Sequence, residues 1–232
     1  MSTITCYHGT SVKSADYYLS GNDFVLSESG NQDSADYRDL WLGDGFYLFD
    51  DPFHAFKWIT QQCFKDKASV FDLPTLQRYF KILQIQLNFP VSRTFDLRQT
   101  EYRAIFQKIL DKILTSSLPD TRIPDGKIPD GVVINYIFKN MVYGKKFDLV
   151  CAVYILNEQN FSETENLKLN FVTQTQYCAK KIHLLVERKE FHYTEYVDDY
   201  IDIWETLFPS ARPIGNRASV RYSLGKGGHY GS

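Results

Sequence analysis

The sequence predicts a mixed α and β fold, and three segments carry that reading. Leu83-Gln84-Ile85-Gln86-Leu87-Asn88-Phe89 alternates apolar and polar residues with the period of two of a half-buried strand. Tyr102, Ile105, Phe106, Ile109, Leu110 and Ile113 recur at helical spacing, which draws one apolar stripe along a helix. Leu149 to Leu156 is a run of β-forming apolar residues of strand length. With 44% apolar and 23% charged residues, the 232-residue chain has a globular composition and fits one large domain or two small ones.

In chain order, Ile4 to Tyr7 reads as a short strand ending in a glycine turn at His8-Gly9, and Ser11 is placed to cap a helix through about Leu19. Ser20 to Asp39 is rich in Ser, Asn, Asp and Gly and reads as a long surface loop. Gly43-Asp44-Gly45 feeds a short strand, Phe46 to Phe49. Asp51-Pro52 then supplies the cap and first residue of a helix reaching about Cys63. The alternating strand stops at Pro90, and the striped helix spans Thr100 to Leu114. The tandem Ile123-Pro124-Asp125-Gly126 and Ile128-Pro129-Asp130-Gly131 favours two consecutive turns. Val132 to Tyr143 fits helix or strand, Leu167 to Val186 holds one or two strands, and Glu195 to Phe208 a terminal helix. These elements make residues 1–208 the globular unit. Beyond Pro209, Arg212, Arg217, Arg221 and Lys226, with Gly225, Gly227, Gly228 and Gly231 crowding the end, predict a basic, flexible tail.

Charge and cysteine usage exclude several classes. Twenty-six Lys and Arg against 28 Asp and Glu leave a net −2, so no single-sign field announces a nucleic-acid or membrane partner. No apolar run approaches the ~18 residues of a bilayer span, and Met1-Ser2-Thr3 lacks a basic leader, which predicts a cytoplasmic, unprocessed protein. Cys6, Cys63, Cys151 and Cys178 stand singly without zinc-ligand spacing, so they read as inert apolar side chains and no metal is expected. The 17 Phe, 16 Tyr and 3 Trp must mostly be core.

Three separated fragments remain: Tyr7-His8-Gly9-Thr10-Ser11; Gly43-Asp44-Gly45-Phe46-Tyr47-Leu48 with Ala55-Phe56-Lys57-Trp58; and Thr175-Gln176-Tyr177-Cys178. In that order they resemble the ADP-ribosyltransferase superfamily, in its His-Tyr-Glu branch with diphtheria toxin and the poly(ADP-ribose) polymerases, and most closely its small bacterial or phage members. Some twenty positions between Ile4 and Leu185 carry the match. The resemblance implies an α+β fold with two small, mostly antiparallel sheets flanking an NAD cleft, with peripheral helices.

It also implies residue roles. Cleaving the nicotinamide–ribose bond builds positive charge on the ribose, so such a site must hold the sugar rigidly. By resemblance, His8 hydrogen-bonds a ribose hydroxyl, the Gly9 backbone pairs with the nicotinamide carboxamide, Thr10 flanks them, Tyr47 stacks on the nicotinamide ring, and Phe56 or Trp58 forms the other wall. Where the family has Glu, this chain has Gln176, which can hydrogen-bond the ribose without supplying a carboxylate. That favours moving a single ADP-ribose over building polymer. Gln174, on the same strand face, is a second candidate, on the acceptor side. The expected activity is a glycosyltransferase reaction, mono-ADP-ribosylation of a protein or nucleic acid as a toxin, effector or defence enzyme, with an antitoxin or chaperone as a fitting partner. An NAD glycohydrolase and a catalytically silent binding module are the alternatives. Tyr222 and Tyr230 among the tail's cations suit a nucleic-acid acceptor.

Overall fold

Pairing with a second long strand extends β1 (Ser2–Ser11) well past its apolar residues. In the computed structural model, which describes residues 1–30, 40–64, 71–115, 128–156 and 173–208, β1 is matched along its whole length by β3 (Phe80–Phe89). The expected glycine turn at His8-Gly9 is therefore absent, because both residues stay in the ladder opposite Leu83 and Ile82. Ser11 does cap α1 (Val12–Leu19), accepting from the Ser14 amide. β2 (Phe46–Phe49) leads into α2 (Pro52–Cys63), whose cap Asp51 accepts from the Phe53 amide at 2.7 Å, as expected for an Asp-Pro start.

The remaining elements are α3 (Leu73–Tyr79), which the sequence reading did not include, β4 (Thr94–Asp96), α4 (Thr100–Thr115), α5 (Asp130–Asn140), α6 (Tyr143–Lys146), β5 (Leu149–Ile155), β6 (Thr173–Ala179), β7 (Leu185–Phe191) and α7 (Val197–Leu207). Asp130-Gly131 begins α5 rather than closing a second turn; the first half of that tandem lies outside the described residues, as does the basic tail.

The protein is α+β with a mixed sheet in the order β4-β5-β6-β2-β1-β3-β7, only β4–β5 being parallel. The two sheets that the resemblance implies are joined here into one. The junction is narrow, since β1 and β2 pair at the single position Tyr7–Phe49. Strand alternation and register put Tyr7, Phe49, Tyr47, Cys178, Gln176, Ala152 and Val150 on one face. Two groups of helices cover that face. Helices α2, α3 and α7 pack Phe53, Phe56, Ile59, Leu76 and Trp204 over Ile82, whereas α4 and α5 pack Ile109, Ile113, Val133 and Ile137 over Phe95 and Val150. The other face buries Cys6, Leu48, Leu83, Ile85 and Tyr177 with Ala15 and Tyr18 of α1. No helix among the described residues is long and apolar enough to cross a membrane.

Candidate functional site

The sheet splits just beyond the Tyr7–Phe49 pair. From there β1 continues only with β3, while Tyr47 and Phe46 of β2 continue only with β6. A side chain bridges the fork: His8 Nδ1–H donates to the Tyr47 carbonyl at 2.8 Å, and its ring lies 4.2 Å from that of Phe46. A carbonyl only accepts, so the proton sits on Nδ1 and the neutral ring presents Nε2 as an acceptor. Burial pushes the His8 pKa down to about 4, against the opposing pull of the Tyr47 carbonyl.

That shift is a stability statement. Between pH 6.5 and 4 the unfolded chain binds a proton at this position and the folded chain does not, so stability is full above about pH 6.5 and falls as pH drops toward 4. The loss expected from His8 is on the order of 2–3 kcal/mol. Thermal melts across that range should become shallower in His8→Gln, with His54, whose pKa burial also lowers, supplying the remainder; an unchanged slope would assign it elsewhere. Asp44, Asp96 and Asp148, whose hydrogen-bonded carboxyls titrate below the usual range, act only at more acid pH.

Tyr47 is aimed by its own hydroxyl, which accepts from the Leu42 amide at 2.8 Å and donates to the Gly43 carbonyl at 2.7 Å. Burial holds its pKa far above that of a free phenol. The same turn is gripped from three further sides. Lys180 Nζ donates to the Leu42 and Asp44 carbonyls. Asn135 accepts from the Asp44 amide at 2.7 Å, and the Asp44 carboxylate takes bonds from Ser29, Asn135 and Lys139. Lys180 is thus committed to backbone carbonyls and is not a free surface cation. Tyr47→Phe would leave the Leu42 N–H and Gly43 C=O without this partner, so we expect a loss of about 1–3 kcal/mol by denaturant unfolding. A variant within ~0.5 kcal/mol of the parent would show that the hydroxyl does not hold the turn.

Gly9 lies where α2 crosses β1. A Cβ there would stand 2.5 Å from Ile59 Cγ2, and 3.1 Å from both the Ala55 carbonyl and Trp58 Cε3. Close helix packing therefore requires the glycine independently of any ligand. The same contact separates the two wall candidates. Trp58 flanks Gly9 and is 37% exposed, whereas Phe56 is fully buried against Tyr193 and Tyr200 and belongs to the core. Thr10 pairs with Lys81 on the β3 side of the fork.

Gln176 stands opposite Phe49 on β2 and Ala152 on β5, with Gln174 two residues earlier opposite Tyr154. Both are only 6% exposed, and neither amide has a hydrogen-bond partner among the described residues. Buried amides are normally satisfied, because desolvation without compensation costs roughly 1–3 kcal/mol. Neither glutamine amide has an atom that is wholly enclosed and unpartnered, so both stay open to a polar contact on one face. Trp41, 43% exposed, lies 4.8 Å from the Tyr154 ring and rims this region. The sequence reading passed over His54, whose Nε2–H donates to the Thr173 carbonyl at 3.1 Å and whose Nδ1 is buried without a partner among the described residues. The available signal was its spacing, one helical turn before Trp58 on α2.

Among the described residues no group of three or more His, Cys, Asp or Glu side chains could hold a metal ion. Burial raises the thiol pKa of Cys6 and Cys151 to about 12 and also raises that of Cys178, so these sulfurs are poor nucleophiles.

The chain is similar to Uncharacterized protein MJ0359 of Methanocaldococcus jannaschii, 29% identical over 211 residues that cover 85% of this chain and 92% of that protein. No family model matches, and no solved structure does.

Proposed function

We propose that this protein transfers a single ADP-ribose from NAD to a macromolecular acceptor, releasing nicotinamide. The observation that carries the reading is Gln176, 6% exposed with its amide bonded to no described residue, on the strand beside a fork bordered by His8 and Gly9 of β1, Tyr47 of β2 and Trp58 of α2. Those residue types in that order make up the resemblance to ADP-ribosyltransferases; Gly9, Tyr47 and Gln176 share one face of the sheet, whereas His8, with its ring on Phe46, meets the fork from the other face. A sheet divided into β4-β5-β6-β2 and β1-β3-β7 around one paired position is also what a two-sheet architecture with a central cleft would require.

In this reading the neutral His8 accepts a hydrogen bond from a ribose hydroxyl at Nε2. The Gly9 backbone pairs with the carboxamide, Tyr47 and Trp58 wall the nicotinamide ring, and Gln176 hydrogen-bonds the ribose from which nicotinamide departs. Positive charge grows on that sugar as the bond breaks, and an amide oxygen stabilises it less than a carboxylate. Holding the sugar in place therefore supplies most of the acceleration. Gln174, with Trp41 and Tyr154 beside it, faces the acceptor, which is protein or nucleic acid.

The test is incubation with NAD labelled in the ADP-ribose moiety and cell lysate, followed by separate protease and nuclease digestion. Label that becomes macromolecular and is freed by one of the two digestions supports transfer and names the acceptor class. Free ADP-ribose accumulating without labelled acceptor would replace the reading with NAD hydrolysis. NAD binding without turnover would leave a binding module, and no binding at millimolar NAD would sink the proposal.

A further inference from the structure

His54 sits in the first turn of α2 and is only 7% exposed. Its Nε2–H donates to the Thr173 carbonyl, so the ring ties the first residue of β6 to the start of α2. The proton must be on Nε2, which leaves the Nδ1 lone pair buried and unsatisfied among the described residues. Its aromatic neighbours are Phe53, at 5.5 Å between ring centroids, and Phe49, at 6.5 Å. Phe49 pairs with Gln176, and Thr173 directly precedes Gln174. One imidazole thus contacts the strand that carries both glutamines and the strand beside it. A leucine would pack against the two phenylalanines without burying an unpaired nitrogen, so core packing alone does not account for a histidine here.

We propose that His54 is a positioning residue for β6: in its neutral form it sets the placement of Gln174 and Gln176, and its protonation withdraws activity on the acid side. The role rests on the functional reading above. Protonation at Nδ1 would place a charge among aromatic rings. Asp51, the α2 cap, and Asp50, which follows β2, favour the charged ring; Lys57, farther along α2, opposes it; Thr173 and Gln174 of β6 carry no charge. Burial outweighs the two carboxylates and the bond to the Thr173 carbonyl, which also favours the charged ring, and holds the ring's pKa below the ordinary histidine value.

The experiment compares His54→Leu and His54→Gln in the full chain with the parent, measuring nicotinamide release from pH 5 to 8 and the imidazole nitrogen shifts by NMR. Thermal melts confirm that each variant folds. His54→Leu should lower kcat about 10- to 100-fold with the NAD KM within about two-fold, since a misplaced group costs turnover more than binding. The amide N–H that His54→Gln introduces reaches the Thr173 carbonyl from a similar position. That variant should recover most of the neutral-pH kcat and lack the parent's acid-side fall. Parental kcat in His54→Leu, a His54→Gln as poor as His54→Leu, or an acid-side fall retained in His54→Gln would each overturn the role. The NMR reading needs no turnover: a His54 ring carrying its proton on Nδ1 overturns this inference alone, whereas a chain that never releases nicotinamide overturns the functional reading and this role with it.

Discussion

Gln176→Ala should lower nicotinamide release by about 10²-fold or more while NAD binding changes little. The side chain is 6% exposed, and its amide has no hydrogen-bond partner among the described residues, so removing it breaks no internal bond there. A group of purely structural use would show the opposite pattern, a fall in stability with turnover kept. If the amide instead contacts the ribose as charge develops, losing it forfeits roughly 2.7–4 kcal/mol of transition-state stabilisation, which is that factor in rate. Gln176→Glu restores the carboxylate of the resembled family and should retain or raise NAD cleavage. Paired turnover and thermal-melt measurements decide the matter. Full transferase activity in Gln176→Ala with loss in Gln174→Ala would move the catalytic role two residues, to the other amide on the same face.

Gly131→Ala should destabilise the fold by about 2–3 kcal/mol, because it overpacks a backbone contact. A Cβ at Gly131 would lie 1.6 Å from the Leu40 carbonyl oxygen and 2.8 Å from the Leu40 carbonyl carbon, with the Gly43 nitrogen at 3.1 Å. None of these is the far end of a flexible side chain, so α5 or the turn from Leu40 to Gly45 must shift. For a chain of this length the loss lowers Tm by roughly 4–12 °C. The consequence should reach the site as well, since the displaced turn holds the Tyr47 hydroxyl through Leu42 and Gly43. The NAD KM should therefore rise even at temperatures where the variant is folded. A Tm within about 1 °C of the parent would show that the turn is not held where its hydrogen bonds place it.

Much of the local structure was legible from residues alone, and each success has a short-range cause. Ser11, Asp51 and Pro52 mark helix starts because capping satisfies amides only two or three residues away. The alternation from Leu83 to Phe89 marks a strand because one face of it is buried and the other is not. Phe56 could have been assigned to the core by the same logic, for Phe53, Phe56 and Ile59 fall on one stripe of α2 and Trp58 falls off it. The errors sit where partners are distant. β1 extends through Gly9 only because β3 lies alongside, and Pro129-Asp130-Gly131 becomes a helix start because Gly131 packs on Leu40.

By itself, the sequence determined a mixed α and β chain, the positions of its main helices and strands, and the placement of Gln174 and Gln176 on one side of a strand. Those follow from periodicity and capping, which act within a few residues. Only the tertiary structure decided that β1 and β2 meet at one position and then part, and that Lys180 is committed to a turn some 136 residues away. It also decided that Gln174 and Gln176 are only 6% exposed and that His54 Nδ1 is buried without a partner among the described residues. A polar group's worth depends on what surrounds it after folding, and a residue's neighbours across a sheet are set by contacts that its flanking residues do not encode.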